Sequence, residues 1–166
     1  MSAKRIMGRL IRVVMALAAL AAPACGPDAE VADALRLESV TTGWLDVGPV
    51  GATNKLVPVV AFKVKNQTDR RLAPVQINAV FRRDGDPTEW SNGMVTAAGS
   101  RGLAPAAATD QLVIKGEAGY TGTDSQLDLL RNSHFVDATV DLFARYGSRQ
   151  WARVGEFHIA RQIVER

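Results

Sequence analysis

The residue types best suited to chemistry in this sequence lie close together near its C-terminal third. Ser133, His134 and Asp137 offer a hydroxyl, an imidazole and a carboxylate, which are the three groups of a hydrolytic triad. A triad needs its side chains to converge, whereas neighbours on a strand point to opposite faces. The sequence also lacks the G-x-S-x-G turn that presents a nucleophilic serine. We therefore expect no catalytic residue here, and we expect the second histidine, His158, to face solvent from a strand.

An acidic cluster offers the other candidate chemistry. Asp84, Asp86 and Glu89 could supply oxygen ligands to calcium. The spacing of an EF-hand loop is absent, and Arg82 and Arg83 are adjacent. Aspartate and glycine also favour tight turns, so a plain turn is the prediction. One cysteine and two histidines exclude a cysteine-built zinc site and make a histidine-rich one improbable. No metal and no cofactor are predicted.

A strand beginning near residue 136 places carboxylates and aromatic rings on its outward face. Asp137 and Asp141 would lie about 13 Å apart at the usual rise of a strand, which is too far for shared acid–base work. Phe135 and Phe143 are less expected on a solvated face. They mark either a partner surface or a face covered by residues 124–130.

Two tryptophans have turn-like surroundings. Trp44 follows Gly43, and Trp90 stands close to Asn92. Exposed tryptophans favour contacts with a partner, whereas large aromatic residues also cap the ends of sandwich cores. Both interpretations stay open for each residue.

The first 24 residues predict a secretory signal peptide. They contain Lys4, Arg5, Arg9 and Arg12, no acidic residue, and an apolar run over 13–22, which is the usual pattern of a cleaved leader. The chain has 20 basic and 17 acidic residues. Without the four basic residues of the leader it has 16 and 17, so its net charge is −1 instead of +3. No basic cluster remains, and nucleic acid is excluded as a partner.

The end of the leader resembles the lipobox of bacterial lipoproteins. The residues Ala22-Pro23-Ala24-Cys25 match that motif at their last two positions. The resemblance implies that the Cys25 thiol becomes a thioether to diacylglycerol, which attaches the chain to a membrane. Gly26 follows where aspartate would retain such a protein in the inner membrane, so the resemblance implies the outer membrane, facing the periplasm. Ordinary cleavage after Ala24 is the alternative.

The domains predicted are a signal peptide at 1–24, a lipidated cysteine and polar tether at 25–34, and one β domain at 35–166. Short alternating runs between turn residues predict an all-β, immunoglobulin-like antiparallel sandwich of six or seven strands, with helical turns near 124–130. The strands expected first are Leu35–Thr42, Val57–Lys65, Val75–Arg82, Glu89–Val95 and Thr109–Lys115.

A final hairpin is predicted around Gly147-Ser148, a pair that suits a two-residue type II′ turn. This turn pairs Tyr146 with Arg149, and it puts Val136, Ala138, Val140, Leu142 and Ala144 on one inward face. The same register puts Arg153 inward, opposite Leu142. Either that side chain extends to the rim or a bulge near Gly155-Glu156 corrects the register.

Residues 35–115 resemble the FxLYD and LEA14-like domains of the bacterial envelope. The similarity rests on Phe62-Lys63-Val64-Lys65-Asn66, on the strand from Val75 to Phe81 before Asp84-Gly85, and on Leu103-Ala104-Pro105. The resemblance implies a β-sandwich and no catalytic residues.

The sequence thus predicts a non-enzymatic binding or scaffold module, held to a membrane by lipid and contacting another envelope protein. Two alternatives remain: an accessory subunit of an envelope transport or secretion complex, and a small envelope hydrolase whose site is built from loops.

Overall fold

A computed structural model describes residues 27–164, which form a two-layer β-sandwich with two short helices. The elements in chain order are α1 (Pro27–Ala34), β1 (Leu35–Val50), β2 (Thr53–Asn66), β3 (Val75–Arg83), β4 (Ser91–Ala98), β5 (Leu112–Lys115), β6 (Tyr120–Gly122), α2 (Gln126–Arg131), β7 (Ala138–Tyr146), β8 (Ala152–His158) and β9 (Ile163–Val164).

Two sheets make up the layers. The first has the order β5-β2-β1-β9, with β6 pairing with β2 beyond the end of β5. The second has the order β4-β3-β7-β8. Every pairing is antiparallel except that of β9 with β1. The predicted all-β sandwich is confirmed, and the described part of the chain has nine strands and a second helix instead of six or seven strands and one.

The core lies between the two sheets and follows the predicted alternation. In β7 every second residue from Ala138 to Tyr146 is buried, and the residues between are half-buried. β3 follows the same pattern, with Val80 buried in addition. In β2, Phe62 is fully buried between the half-buried Ala61 and Lys63. A period of two therefore identified the inward faces of these strands correctly.

The register predicted for the last hairpin is wrong beyond its turn. Gly147 has φ 57°, and the amide of Arg149 donates to the carbonyl of Tyr146 at 3.1 Å, so the turn forms. Near the turn, each β7 residue pairs with a β8 residue one position later than predicted. Beyond a bulge at Val154, the offset is two positions. The one-residue offset near the turn already places Arg153 outward, opposite Phe143, so this arginine does not enter the core. The bulge lies next to Gly155-Glu156, where the alternative expected it.

The start of the same hairpin also differs from its prediction. Val136 was expected inward, but it precedes β7 and is 40% exposed. The first inward residue of the strand is Ala138, which is fully buried. The face therefore begins two residues later, because residues 135–137 are irregular and join β7 only at Ala138.

Residues 27–34, for which a polar tether was expected, form α1. Val31 and Ala34 on this helix are buried in the core, whereas Ala32 and Asp33 are exposed. The carbonyl of Ala34 accepts a hydrogen bond from the amide of Gln67. The segment is short and mostly polar, so its buried helical face was not recognised. In a helix of eight residues, a few apolar positions are enough to hold it against the sandwich.

β1 runs far beyond its predicted end at Thr42. At Thr42, the side of β1 that faces away from β2 is bonded to the chain after β8. The Thr42 hydroxyl donates to the His158 carbonyl at 2.8 Å and accepts from the Ala160 amide at 3.1 Å. The Gln162 side chain donates to the Thr42 carbonyl at 2.7 Å. These bonds join the edge of the first sheet to the chain that leaves β8.

Pro58 lies inside β2, a strand that has neighbours on both sides. On one side it is opposite Trp44 of β1. On the other side the ladder is interrupted there, because β5 pairs with residues 59–62 and β6 with 54–56. A proline without an N–H is accommodated where no strand needs one.

Candidate binding site

Four aromatic rings from four separate segments meet at one end of the sandwich. Trp44 comes from β1, Trp90 from the turn before β4, Tyr120 from the start of β6, and Phe135 from the loop before β7. We call these four residues the aromatic cluster. Ring centroids lie 4.7 Å apart for Trp44 and Phe135, 4.6 Å for Tyr120 and Phe135, and 5.2 Å for Trp90 and Tyr120. Tilted and edge-to-face contacts at these distances are favourable.

Backbone pairing holds the rings in position. The Trp44 amide donates to the Gln162 carbonyl at 2.8 Å, and the Trp90 amide donates to the Phe81 carbonyl at 2.9 Å. The Tyr120 hydroxyl donates to the Val136 carbonyl at 3.0 Å. Each ring is thus tied to a strand or to the chain beside one.

A pocket of about 160 Å³ opens over the two rings Tyr120 and Phe135. Leu129 of α2 forms one wall. Its side chain packs against Gly122 of β6, where an added Cβ would lie 2.4 Å from the Leu129 Cδ2. The pocket is lined by Tyr120, Thr121, Leu129, Asn132, His134 and Phe135. Its floor is therefore aromatic and apolar, and its rim carries an amide and an imidazole.

The helix that forms this wall is capped by Ser125, whose hydroxyl accepts from the Asp128 amide at 3.3 Å. A serine cap satisfies one of the free amides at the helix start. The helix buries Leu129 and Leu130.

Arg161 joins the loop segments around the cluster. Its guanidinium lies 5.1 Å from the Phe135 ring centroid and donates to both carboxylate oxygens of Asp137, at 2.6 and 3.0 Å. It also donates to the carbonyls of Leu130 and Phe135. The hydrogen bonds from Arg161 lower the pKa of Asp137, with a smaller contribution from the charge of His158. Asp137 is thus an ionised partner of an arginine, with no proton to exchange at neutral pH.

Burial raises the pKa of the Tyr120 phenol. The hydroxyl therefore stays protonated at neutral pH and remains a donor to Val136.

Ser133, His134 and Asp137 do not assemble as a triad in the described structure. Ser133 and His134 are exposed, and the His134 amide donates to the Asn132 side chain at 2.9 Å. The Asp137 carboxylate is bound by Arg161. His158 is exposed on β8, as expected.

The acidic turn forms hydrogen bonds within itself. Asp86 accepts from the Thr88 amide at 3.0 Å and from Arg83 at 3.1 Å, and these bonds lower the pKa of Asp86, that from Thr88 most. Glu89 accepts from Asn92. Within residues 27–164, no three His, Cys, Asp or Glu side chains come together as a metal site.

Two of the four residues predicted as a partner surface prove inaccessible. Trp44 is fully buried and Phe135 is 7% exposed, which favours the alternatives of a core position for Trp44 and of cover by residues 124–130 for Phe135 over an exposed partner surface. Trp44 occupies a paired strand and not a turn, and Phe135 lies beneath the Leu129 helix and Arg161. Trp90 is half-buried, with Arg83 5.9 Å from its ring centroid.

Phe143 lies elsewhere, on the outward face of the four-stranded sheet. That face was predicted for alternate residues of β7, and their half-burial agrees. Next to Phe143, Asp141 binds Arg82 and Arg153, the latter through Nε at 2.6 Å. The lipidation predicted for Cys25 lies outside the described residues.

Sequence reasoning missed Tyr120, which contacts each of the other three rings. The signal available was a tyrosine between Gly119 and Gly122. A Cβ at position 119 would lie 2.1 Å from the Leu56 carbonyl oxygen, and this close approach lets the short strand dock. Three residues are too few for an alternation pattern to be seen.

Comparisons with known proteins add only distant structural neighbours. No protein-family model matches the sequence, and no curated protein matches it. Among solved structures, a protein from Arabidopsis thaliana has a TM-score of 0.46 at 15% identity, with 76% of this chain and 80% of that chain covered. A structural-genomics target has a TM-score of 0.44 at 13% identity, with 76% and 86% covered.

A Bordetella pertussis structural-genomics target named for ApaA has a TM-score of 0.43 at 11% identity, with 76% and 93% covered. At these scores the case for a sandwich rests on the chain's own two sheets. The resemblances to lipoproteins and to FxLYD and LEA14-like domains stay predictions. Neither helix in the described range has the length and apolar character needed to cross a bilayer.

Proposed function

We propose that this chain is a lipid-anchored, periplasm-facing binding module of the cell envelope, without catalysis of its own, that engages another envelope protein through the pocket over the aromatic cluster. The observation that carries the proposal is the pocket between α2 and the loop before β7, where the half-buried Tyr120 ring lies against the buried Phe135 ring. Buried aromatic anchors in such pockets commonly dominate binding between proteins.

The size of the pocket favours a side chain of a partner over a free small molecule. Sites for organic ligands usually enclose roughly 300–1,000 Å³, whereas this one offers about 160 Å³. That volume suits one apolar or aromatic side chain. Asn132 and His134 on the rim would then meet the polar backbone on either side of that residue.

The acid–base groups around the pocket support binding over catalysis. Asp137 is committed to Arg161, and the Tyr120 hydroxyl is committed to a backbone carbonyl. Neither group is placed to activate His134 or Ser133. A hydrolase with a loop-built site would need a nucleophile beside a base.

The anchor is tested by mass. We expect the mature chain to begin at Cys25 and to carry diacylglycerol and further acyl mass, and we expect Cys25→Ser to lose it. Two or three acyl chains hold a protein firmly where one would be marginal. A mature chain that begins at Cys25 without added mass would contradict the anchor.

The binding site is tested by blocking the pocket. His134 lines the rim and its neighbour Ser133 does not, although both are exposed. After cross-linking and detergent extraction, we expect a stoichiometric envelope partner with the unaltered chain and with Ser133→Trp, and its loss with His134→Trp. A partner retained by both variants argues against this pocket. Turnover by the purified chain that His134→Ala abolishes would favour the hydrolase instead.

A further inference from the structure

β6 leaves one side of its backbone open beside the pocket. The strand pairs with β2 on one side, and no other strand of the described residues pairs with it. Thr121, its central residue, is exposed and lines the pocket. The direction of the Thr121 backbone groups therefore decides whether this edge can bind a partner.

The hydrogen bonds of β2 show which way its own backbone groups point. Backbone groups of alternate residues in a strand point to the same side. The Pro58 carbonyl accepts from the Gly116 amide at 2.8 Å, so it points towards the chain between β5 and β6. Leu56, two residues earlier, has the same direction, and its carbonyl oxygen faces Gly119, where an added Cβ would overlap it. Leu56 and its partner Tyr120 therefore form a hydrogen-bonded pair.

The next residue of β6 has the opposite direction. Thr121 is opposite Lys55, in the position of the ladder that lies between hydrogen-bonded pairs. Its N–H and C=O therefore point away from β2, and no hydrogen bond among residues 27–164 reaches them from that side. Thr121 thus offers one donor and one acceptor to a molecule that lies along the free side of β6.

Both ends of β6 are held in place. Before the strand, the Ser91 hydroxyl accepts from the amides of Glu117 and Ala118 at 2.7 and 3.2 Å. After the strand, the Asn54 side chain donates to the Asp124 carbonyl at 2.8 Å. The open edge is therefore formed before a partner binds, and a partner spends little binding free energy on ordering it.

A strand added to this edge would also reach the pocket. Side chains of paired residues in neighbouring strands lie on the same face, and successive side chains alternate between faces. The partner residue that bonds Thr121 would therefore direct its side chain to the Thr121 face. Its two neighbours would lie on the face of Tyr120, whose ring forms part of the pocket floor.

The dimensions favour an extended segment over a folded domain. β6 has three residues, so it is about 10 Å long at the usual rise of a strand, and the pocket of about 160 Å³ holds one side chain. Stable complexes between folded proteins bury about 800 Å² on each partner, which an edge of this length and one pocket do not reach. A second copy of the chain is therefore not the expected occupant.

We infer that the partner binds as an extended segment that adds a strand to β6. Its backbone exchanges two hydrogen bonds with Thr121, and an apolar or aromatic side chain next to that point fills the pocket. This inference rests on the proposed function, since it concerns the same pocket, and it adds the conformation of the partner. Free sheet edges bind extended chains in this way, with affinity from backbone hydrogen bonds and specificity from side-chain pockets.

Random linear peptides displayed on phage provide the probe. They are selected on the unaltered chain and counter-selected on His134→Trp, which blocks the pocket. We expect the recovered peptides to share one large apolar residue among strand-forming residues. Apolar residues repeated at helical spacing would indicate a helix in the pocket and contradict the inference, as would the recovery of no peptide.

N-methylation of a recovered peptide separates backbone pairing from pocket filling. Methylation of one of the two amides beside the apolar anchor should weaken binding about tenfold, the effect of one lost hydrogen bond. The amide of the anchor itself points away from β6, so its methylation is the matched control and should leave binding unchanged. Equal effects of all three methylations would overturn the added strand.

Variants at position 121 test the same contact from the chain. Thr121→Pro removes the outward N–H and no bond to β2, a change that strand edges tolerate, and it should weaken peptide binding about tenfold. Thr121→Ala keeps the N–H and should bind normally. Amide exchange of Thr121 in the unaltered chain gives a second measurement that needs no variant, and we expect bound peptide to slow it.

Two results distinguish the inference from the function on which it rests. Binding that is lost in His134→Trp but kept in a folded Thr121→Pro, with unchanged exchange of the Thr121 amide, would overturn the added strand and leave the binding module standing. Binding that His134→Trp does not affect would contradict the pocket, and the added strand with it.

Discussion

Asn66 is a fully buried amide at the end of β2, and every polar atom of its side chain is bonded. Its Nδ2 donates to the carbonyls of Arg70, Leu103 and Ala104 at 2.7 to 3.0 Å. Its Oδ1 accepts from the Thr68 amide at 2.9 Å and from the Thr68 hydroxyl at 2.7 Å. One side chain thus holds the 67–74 and 99–111 loops together beside the end of β2.

We expect Asn66→Asp to lower the free energy of unfolding by about 2–4 kcal/mol, because a carboxylate would face three carbonyl oxygens in a buried site. Urea unfolding at neutral pH measures the change. Asn78→Asp, on the half-buried outward face of β3, is the control and should cost under about 1 kcal/mol. Equal losses in the two variants would contradict the role of Asn66.

The Asp137–Arg161 pair gives stability a definite pH dependence. Because the folded-state pKa of Asp137 is lowered, the ionised carboxylate stabilises the fold at pH values above the ordinary aspartate pKa, about 3.9. This stabilisation is lost as pH falls through the lower pKa of the folded state. We expect Asp137→Asn to be less stable than the unaltered chain at neutral pH, with a difference that shrinks below about pH 4. Urea unfolding across this range tests it, and a difference independent of pH would contradict it.

At the scale of elements, α1 is part of the domain. Val31 is fully buried against the sandwich, so Val31→Ala should lower the free energy of unfolding by about 2 kcal/mol. Ala32→Ser, on the exposed side of the same helix, should lower the free energy of unfolding by only a few tenths of a kcal/mol, which is about the difference in helix propensity between alanine and serine. Thermal or urea unfolding distinguishes the two, and a neutral Val31→Ala would mean that the helix is a loosely held tether.

The two sheets approach each other closely where β4 meets β5. A Cβ at Gly93 would lie 2.6 Å from Ile114 Cγ2 and 3.0 Å from the Lys115 carbonyl oxygen. We expect Gly93→Ala to destabilise by about 1–3 kcal/mol through overpacking. Gly99→Ala is the control, since no atom lies within 4 Å of its Cβ position. Equal midpoints of urea unfolding would show that β4 can move aside.

The sequence predicted the long alternating strands but not the elements that the rest of the chain must hold in place. β3 and β7 each present a period of two over nine residues, which decides the buried face without tertiary information. β6 and β9 have three and two residues, and they exist because β2 and β1 offer them a partner. A bulge near Gly155-Glu156 was one of the two alternatives from the sequence, and the pairing of β8 with β7 puts it at Val154.

The aromatic cluster was predictable as residues but not as a site. Trp44, Trp90 and Phe135 were each singled out by type, from three distant parts of the chain. Only the fold brings them together, since Trp44 of β1, the turn before β4 and the loop before β7 lie at the same side of the sandwich. Tyr120 completes the cluster from a strand too short to predict.

At the scale of the whole molecule, one core spans both sheets and both helices. We therefore expect a single cooperative unfolding transition. Trp151 reports on one end of the sandwich and Trp90 on the other, so fluorescence of Trp90→Phe and Trp151→Phe, each compared with its own far-ultraviolet circular dichroism, should give coincident midpoints. An earlier fluorescence midpoint in one variant would mean that its end unfolds separately.

The bonds around Thr42 also bear on how copies of this chain meet. An exposed strand edge is a template for adding strands from a neighbouring molecule, which is a common route to aggregation. At Thr42 the hydroxyl and carbonyl of the edge are already occupied by His158, Ala160 and Gln162. The contact that closes the sandwich therefore also keeps the Thr42 carbonyl of β1 from pairing with a strand of a neighbouring molecule.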